Sequence, residues 1–244
     1  MIIIAPFASK STRTLPYPAW TPFSLESDVV FCLQYLHEGI SLLLIVKVNV
    51  ALETLAIAVL LQLCGHLEIV MYRLNLLSKI PENINEVKYN QELEILKQCL
   101  KKHLHLLAIG DNVNKQFGIS IFMQFFASTI SLCTIIFSLS NMNLNSHHSW
   151  LMIFCANSYT IQIFIYCYFG QQITEKSTEI GTAAYFLNWN SLTIRTKKSL
   201  IILMMRTVQP IKLSAASIIV MSLETFMKIL KASYSTYNLL KNSS

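Results

Sequence analysis

Two stretches of this sequence run without charge for longer than a soluble fold has use for. Phe117–Leu139 covers 23 positions and Trp150–Gly170 covers 21, with no Asp, Glu, Lys or Arg in either. A helix rises about 1.5 Å per residue, so each run is long enough to cross about 30 Å of hydrocarbon. Within a bilayer every backbone N–H and C=O needs an internal partner, and a helix supplies those partners by itself. The connection between the runs, Ser140–Ser149, is short and polar, so the two spans are antiparallel neighbours. Two further stretches are apolar but carry charge. Gly39–Cys64 contains Lys47 and Glu53, and Leu213–Leu240 contains Glu224, Lys228 and Lys231. The expectation is an all-α, polytopic transmembrane helical bundle. It forms one transmembrane domain over residues 1–244, with four spans at about 39–64, 117–139, 150–170 and 213–240.

Composition points the same way. Charged residues make up 13% of the chain, against about 25% in soluble domains. Only six glycines and six prolines are present, which disfavours a fold with many β turns. The net charge of +6 raises the question of nucleic acid, and the distribution of the basic residues answers it. Gly65–Gln116 holds seven Lys and Arg, Gln171–Lys212 holds six, and the 140–149 loop holds none. Lysine and arginine concentrate in cytoplasmic loops. Segments 65–116 and 171–212 are therefore expected in the cytoplasm, with both chain ends outside. Topology accounts for the basic balance, and the implied partner is membrane lipid, with no nucleic acid.

The cytoplasmic segments read as helices that continue beyond the bilayer. Glu92, Leu93, Leu96, Leu100 and Leu104 recur at helical spacing, with Pro81 and Asn83–Asn85 breaking the chain before them. Glu175–Trp189 reads as an inward continuation of the third span. Such extensions are suitable material for subunit contacts.

Chemistry-bearing residues are sparse. Cys32, Cys64, Cys99, Cys133, Cys155 and Cys167 lie far apart with no C-x-x-C pair, so free, buried thiols are expected. His66-x-Glu68 lacks the P-C-x-x-C of a zinc deaminase, and His37-Glu38 lacks the second histidine of H-E-x-x-H. His103 and His105 point to different sides of a helix, and His147 and His148 fall in an outer loop. No catalytic residue, metal ligand set or cofactor motif is found, so an enzyme is not expected. Asn242-Ser243-Ser244 is a formal glycosylation sequon, too close to the chain end and the membrane to be modified.

The last span carries the most pattern. Ser214, Ser217, Met221, Glu224, Lys228, Lys231, Ser235 and Asn238 follow at alternating intervals of three and four, which puts them on one face of a helix. Ile218, Val220, Leu223, Met227, Leu230, Tyr234 and Tyr237 fall on the other faces. A charge near the bilayer centre costs a few kcal/mol, so such a face avoids lipid. It either lines a water-filled path or packs as a polar seam with Glu224 and Lys228 paired at i,i+4. In the first span, Lys47 and Glu53 are six apart and face different ways. Either lines a ligand vestibule or is satisfied by a neighbouring helix.

Several separated motifs occur in a recognisable order. They are Tyr166-Cys-Tyr-Phe-Gly170, Trp189, Lys197-Lys198, Met204-Met205-Arg206, Gln209-Pro210, Ser222-Leu-Glu-Thr-Phe226 and Ile229-Leu-Lys-Ala-Ser-Tyr234-Ser235. Together they resemble the C-terminal signature of insect odorant receptors. Upstream, Leu15-Pro-Tyr-Pro-Ala-Trp20 with Pro22-Phe23 is similar to the outer loop before that family's fourth helix. Cys64-Gly65-His66-Leu67-Glu68 is similar to that helix's cytoplasmic end.

The resemblance implies a seven-helix receptor of which this chain holds helices four to seven, Met1–Phe7 being the tail of the third. It implies a plasma-membrane, ligand-gated, non-selective cation channel that senses small volatile odorants. The subunit would work in a heterotetramer with a shared co-receptor, in the dendrites of sensory neurons. The seventh helices would surround the pore, lined by Glu224, Lys228, Lys231 and Ser235. Leu239 would stand at the hydrophobic gate where the family has valine. The terminal Lys241-Asn-Ser-Ser244 departs from the co-receptor's apolar tail, which implies a tuning subunit. The family's pocket carries no motif to transfer, but helix spacing offers Tyr35 and Leu42 on the fourth helix and Trp150, Phe154 and Ser158 on the sixth, either as odorant lining or as ordinary helix packing. The nearest rival is a gustatory-type chemoreceptor, whose T-Y-h-h-h-h-Q-F ending (h, hydrophobic) Tyr234–Leu240 does not match. A small membrane transporter or scaffold is the rival from another class, but inverted repeats with broken helices are not seen.

Overall fold

The computed structural model describes residues 28–80, 85–140 and 147–243. The motifs at Leu15–Phe23 and Met1–Phe7 lie outside the described residues, as do the side chains of His147, His148 and of the sequon. Five helices follow in order: α1 (Asp28–Leu76), α2 (Asn85–Ser140), α3 (His147–Tyr185), α4 (Ile194–Thr207) and α5 (Leu223–Ser243). A two-stranded antiparallel hairpin, β1 (Ser214–Ala215) and β2 (Ile219–Val220), precedes α5. The chain divides into two units, Met1–Ala56 and Ile57–Ser244.

Three helices are long and apolar enough to cross a membrane, over Asp28–Lys79, Tyr89–Leu139 and Ser149–Tyr185. The chain is a helical membrane protein. Both uncharged runs lie inside far longer helices, as expected. At 56 residues, α2 extends about 84 Å. α3 begins at His147, so the two histidines placed in a loop belong by backbone to its first turn.

In the second unit the helices meet along seams of period 3.5. α1 buries Leu60, Leu63, Leu67, Val70 and Leu74, and Leu77 just after it continues the row. α2 buries Glu92, Leu96, Cys99, His103, Leu106, Gly110 and Val113. α3 contributes Ile163, Cys167, Gly170, Ile173, Ser177, Ile180 and Ala184, and α4 contributes Thr196, Leu200, Leu203 and Thr207. Steps of three and four keep one narrow stripe facing its partner, the geometry of coiled-coil packing. Outside the bilayer such a seam draws on the hydrophobic effect, about 1.5–3 kcal/mol for each fully buried large aliphatic side chain.

This seam corrects the one expected for α2. Leu93 and Leu104 are 45% and 59% exposed, whereas Glu92 and His103 are buried. Glu92 is inside because it has work there. Its Oε2 accepts from the Thr193 backbone N–H at 3.2 Å and from the Thr193 hydroxyl at 2.8 Å. It thereby holds Thr193, the boundary residue at the start of α4. Burial, with the charge of Arg206 second, holds the His103 imidazole below its usual pKa. The six cysteines are free. Cys64, Cys99, Cys133 and Cys167 are buried as expected, but Cys155 is exposed and Cys32 only half-buried.

The expected helix over 213–240 is also corrected. The chain at 211–221 is a strap laid across α2 and α3, and the helix starts at Leu223. Asn114 on α2 acts as a backbone mimic, donating to the Lys212 carbonyl at 2.9 Å and accepting from Ser214 N–H at 2.9 Å. From α3, the Thr174 hydroxyl donates to the Ile211 carbonyl at 3.1 Å, and Ser177 Oγ accepts from Ile211 N–H at 3.1 Å. The turn puts Ala216 and Ser217 at φ 51° and 59°, a left-handed pair costing about 1–2 kcal/mol per residue. Ala216 N–H offsets part of this by donating to the Gly118 carbonyl at 2.8 Å. Glycine makes the strap's close approach possible. A Cβ on Gly110 would stand 2.6 Å from Ile211 Cγ2, and one on Gly170 would collide with Met221 backbone.

Candidate functional site

α5 is the helix on which a conducting path was expected, and its two sides differ. One side packs. Phe226 meets Phe164 of α3 edge to face, with ring centroids 5.4 Å apart. Ser233 is buried, its hydroxyl donating to the Ile229 carbonyl at 3.0 Å, and the Cys133 thiol of α2 approaches the Ser233 carbonyl at 3.9 Å. These contacts join α5 to α2 and α3 within one chain.

The opposite side carries the expected polar residues. Glu224, Lys228, Lys231, Ser235 and Leu239 are all exposed, Leu239 at 69%. Lys228 Nζ lies 2.6 Å from Glu224 Oε1, an i,i+4 pair with both side chains more than 70% exposed. The pairing expected of a polar seam is thus present, but the face that carries it is turned away from its own bundle. Ser214, Ser217 and Met221 leave the stripe, because they belong to the hairpin and the residue after it. Of the residues assigned to the other faces, Leu230 and Tyr237 are half-buried. Ile218 and Val220 belong to the hairpin, while Leu223, Met227 and Tyr234 are exposed, so α5 shows more open surface than its polar stripe alone.

The suggested ligand residues divide between the two units. In Met1–Ala56, Tyr35 is buried with its ring 6.3 Å from Phe31, while Leu42 is exposed. Lys47 is exposed and Glu53 half-buried in the same unit. In the second unit, Trp150, Phe154 and Ser158 stand four apart on one side of α3 and are all exposed. The Ser158 hydroxyl is turned back to the Phe154 carbonyl at 2.9 Å.

A different surface had drawn only the general expectation of subunit contact. At the end of α3 and on α4, Tyr185, Phe186, Trp189, Met204, Met205 and Val208 line an apolar hollow of about 840 Å³. Phe186 and Val208 are more than three-quarters exposed. The signal was present in Met204-Met205 and Tyr185-Phe186, but spacing alone does not tell an outward apolar face from an inward one.

Comparison with known proteins puts this architecture in context. A profile of the family described as 7tm Odorant receptor matches residues 1–234. The chain is similar to odorant receptor 67c of Drosophila melanogaster, at 25% identity over 95% of this chain and 56% of that one. It is similar to odorant receptor Or1 of Anopheles gambiae, at 24% identity over 96% of this chain and 61% of that one. The chain spans about half the length of the curated relatives it matches. Its fold is similar to that of the insect olfactory receptor OR5 from Machilis hrabei in complex with eugenol. There the TM-score is 0.75 at 11% identity, covering 93% of this chain and 56% of that chain.

Proposed function

We propose a function from one premise: this chain belongs to the 7tm odorant receptor family. It serves as an odour-tuning subunit of a ligand-gated, non-selective cation channel in the plasma membrane of sensory neurons. The ligand is a small volatile molecule. The working assembly is a heterotetramer with a shared co-receptor, in which α5 of each subunit faces the ion path.

The observation that carries this reading is the outward face of α5. Glu224, Lys228, Lys231 and Ser235 are exposed on a helix whose other side is packed by Phe226 and Ser233. Charge is too costly to leave in hydrocarbon, so this face requires water or a partner. Four such helices around an axis supply both. One turn beyond Ser235, a ring of Leu239 side chains forms an apolar constriction that closes by dewetting. The exposed apolar hollow of Tyr185, Phe186, Met205 and Val208 supports assembly, since such a patch in water calls for a partner. On the odorant side, Trp150, Phe154 and Ser158 of α3 offer exposed apolar surface and a hydroxyl.

Leu239→Ser tests the reading in a receptor of the relatives' full length, expressed with the co-receptor. Hydroxyls at the constriction lower the cost of wetting, so leak current without odorant or altered selectivity is expected. Phe226→Ser, on the packed side, is expected to lower surface expression and leave selectivity unchanged. Unaltered gating and permeation in well-expressed Leu239→Ser channels would overturn the pore assignment.

A further inference from the structure

We propose that the cleft between α1 and α2 binds a multiply phosphorylated anion of the inositol-phosphate class. The cleft holds about 490 Å³ and is walled by His66 and Arg73 of α1 with Gln98, Lys101, Lys102 and His105 of α2, over an apolar floor of Leu106 and Ile109. That volume lies within the range of about 300–1,000 Å³ for small-ligand pockets.

Chain geometry brings these groups together. His66 and Arg73 are seven apart, two turns along one face of α1. Gln98, Lys101, Lys102 and His105 advance by three, one and three, which keeps them on the facing side of α2. Arg73 Nη1 donates to Gln98 Oε1 at 3.2 Å, and Gln98 Nε2 donates to Glu94 Oε1 at 2.8 Å. This chain fixes the guanidinium at the wall while leaving most of its N–H groups free. Arginine in such a position suits phosphate, whose oxygens accept two parallel N–H bonds. Lys101 and Lys102 have no ion-pair partner among the described residues.

The nearby carboxylates are turned to other partners. Glu68 on α1 pairs with Lys176 of α3, and Glu94 accepts from Gln98. The lining itself contains no Asp or Glu. Arg73, Lys101 and Lys102 therefore share one cleft whose lining carries no counter-charge, and their mutual repulsion favours entry of an anion. A multiply charged phosphate ester meets that need better than a single carboxylate does.

The inference goes beyond channel gating and rests on the cytoplasmic placement of residues 65–116. His66 follows the first apolar run by two residues, about 3 Å along the helix axis, and Arg73 lies about 14 Å along it. A basic pocket at that depth is within reach of a phosphorylated lipid headgroup, and it also opens to soluble phosphates.

The test places the protein in phosphatidylcholine nanodiscs. One set carries phosphatidylinositol bisphosphate and another carries phosphatidylserine at matched charge. Soluble inositol trisphosphate is titrated separately against protein in plain nanodiscs. Both faces of a nanodisc are accessible, so binding reports the site whatever the orientation, and the channel reading can fail without affecting it. The double variant Lys101→Gln with Lys102→Gln, at exposed or half-buried positions, should weaken binding about tenfold or more. Lys197→Gln with Lys198→Gln removes equal charge from α4 and should change it less than twofold, on the order of a surface-screened effect. Selective binding of the bisphosphate lipid alone supports a headgroup, and binding of the trisphosphate as well supports soluble phosphate too. Equal loss from both lysine pairs, equal binding of phosphatidylserine, or no binding of either phosphate probe would overturn the proposal.

Discussion

The helical seams of the second unit and α5 are built from similar residues in opposite ways. α1, α2, α3 and α4 bury continuous seams there, with Leu67, Leu106, Ile180 and Leu200 all fully enclosed. α5 is attached along one side through Phe226 and Ser233, and leaves Met227, Tyr234 and Leu239 open. The contrast separates two tasks. Where such a seam meets water, apolar burial supplies the driving force for packing. α5 is held to α2 and α3 by a few specific contacts, which leaves its polar face exposed.

The largest effect should come from breaking the seam. Leu203→Ala opens a cavity in the fully packed α4 contact, and losses at such sites are about 2–5 kcal/mol. Met227→Ala on α5, half exposed, should stay within about 0.5 kcal/mol. Thermal melts of the purified protein compare the two directly. Equal losses would abolish the distinction between the regions.

A smaller effect tests the strap that joins them. Gly170→Ala forces a methyl against Met221 backbone, which cannot swing aside as a side chain can. Overpacking of this kind costs about 1–3 kcal/mol. The strap should loosen before the seams do, so faster amide exchange at Ile211 and Ala216 is expected with α4 still protected. Unchanged exchange would mean that the strap does not depend on this contact.

How far the sequence discloses this arrangement depends on where each signal resides. The uncharged runs are local, and α2 and α3 contain both. The start of α5 is not local. Ser214, Ser217 and Met221 keep the three-four rhythm of the stripe by coincidence, and Pro210 is a weak sign of interruption. What decides the matter is Gly118 and Gly170 on other helices, together with the Asn114 amide, far away in sequence. The α2 seam misled for a different reason. Apolar periodicity favours Leu93 and Leu104 beside Glu92, yet the buried row runs Glu92, Leu96, Cys99, His103, with Glu92 drawn in by Thr193 at the start of α4. The basic residues of the α1–α2 cleft were read for topology alone, since no spacing shows that two helices will bring Arg73 and Lys101 together.

The third effect is the smallest and depends on pH. Burial depresses the pKa of His103 in the folded chain, relative to about 6.5 when unfolded. The unfolded chain then takes up the proton more readily as pH falls. The stability contribution is complete above about 6.5 and is lost as pH drops toward the folded value. Melting temperature should fall on acidification below about 6.5, and His103→Leu should flatten that slope while leaving the exposed face of α5 untouched. A slope identical in both proteins would remove His103 as its source.

Cysteine accessibility along α5, measured in channels of the relatives' full length opened by odorant, bears most directly on the two-sided helix. Lys228→Cys, Lys231→Cys and Ser235→Cys should react with a charged, water-borne thiol reagent, and the reaction should alter the current. Phe226→Cys and Ser233→Cys, on the packed side, should not react. Reaction at 226 and 233 with protection at 228, 231 and 235 would contradict the account, because the water path would then lie on the side that holds α5 to α2 and α3.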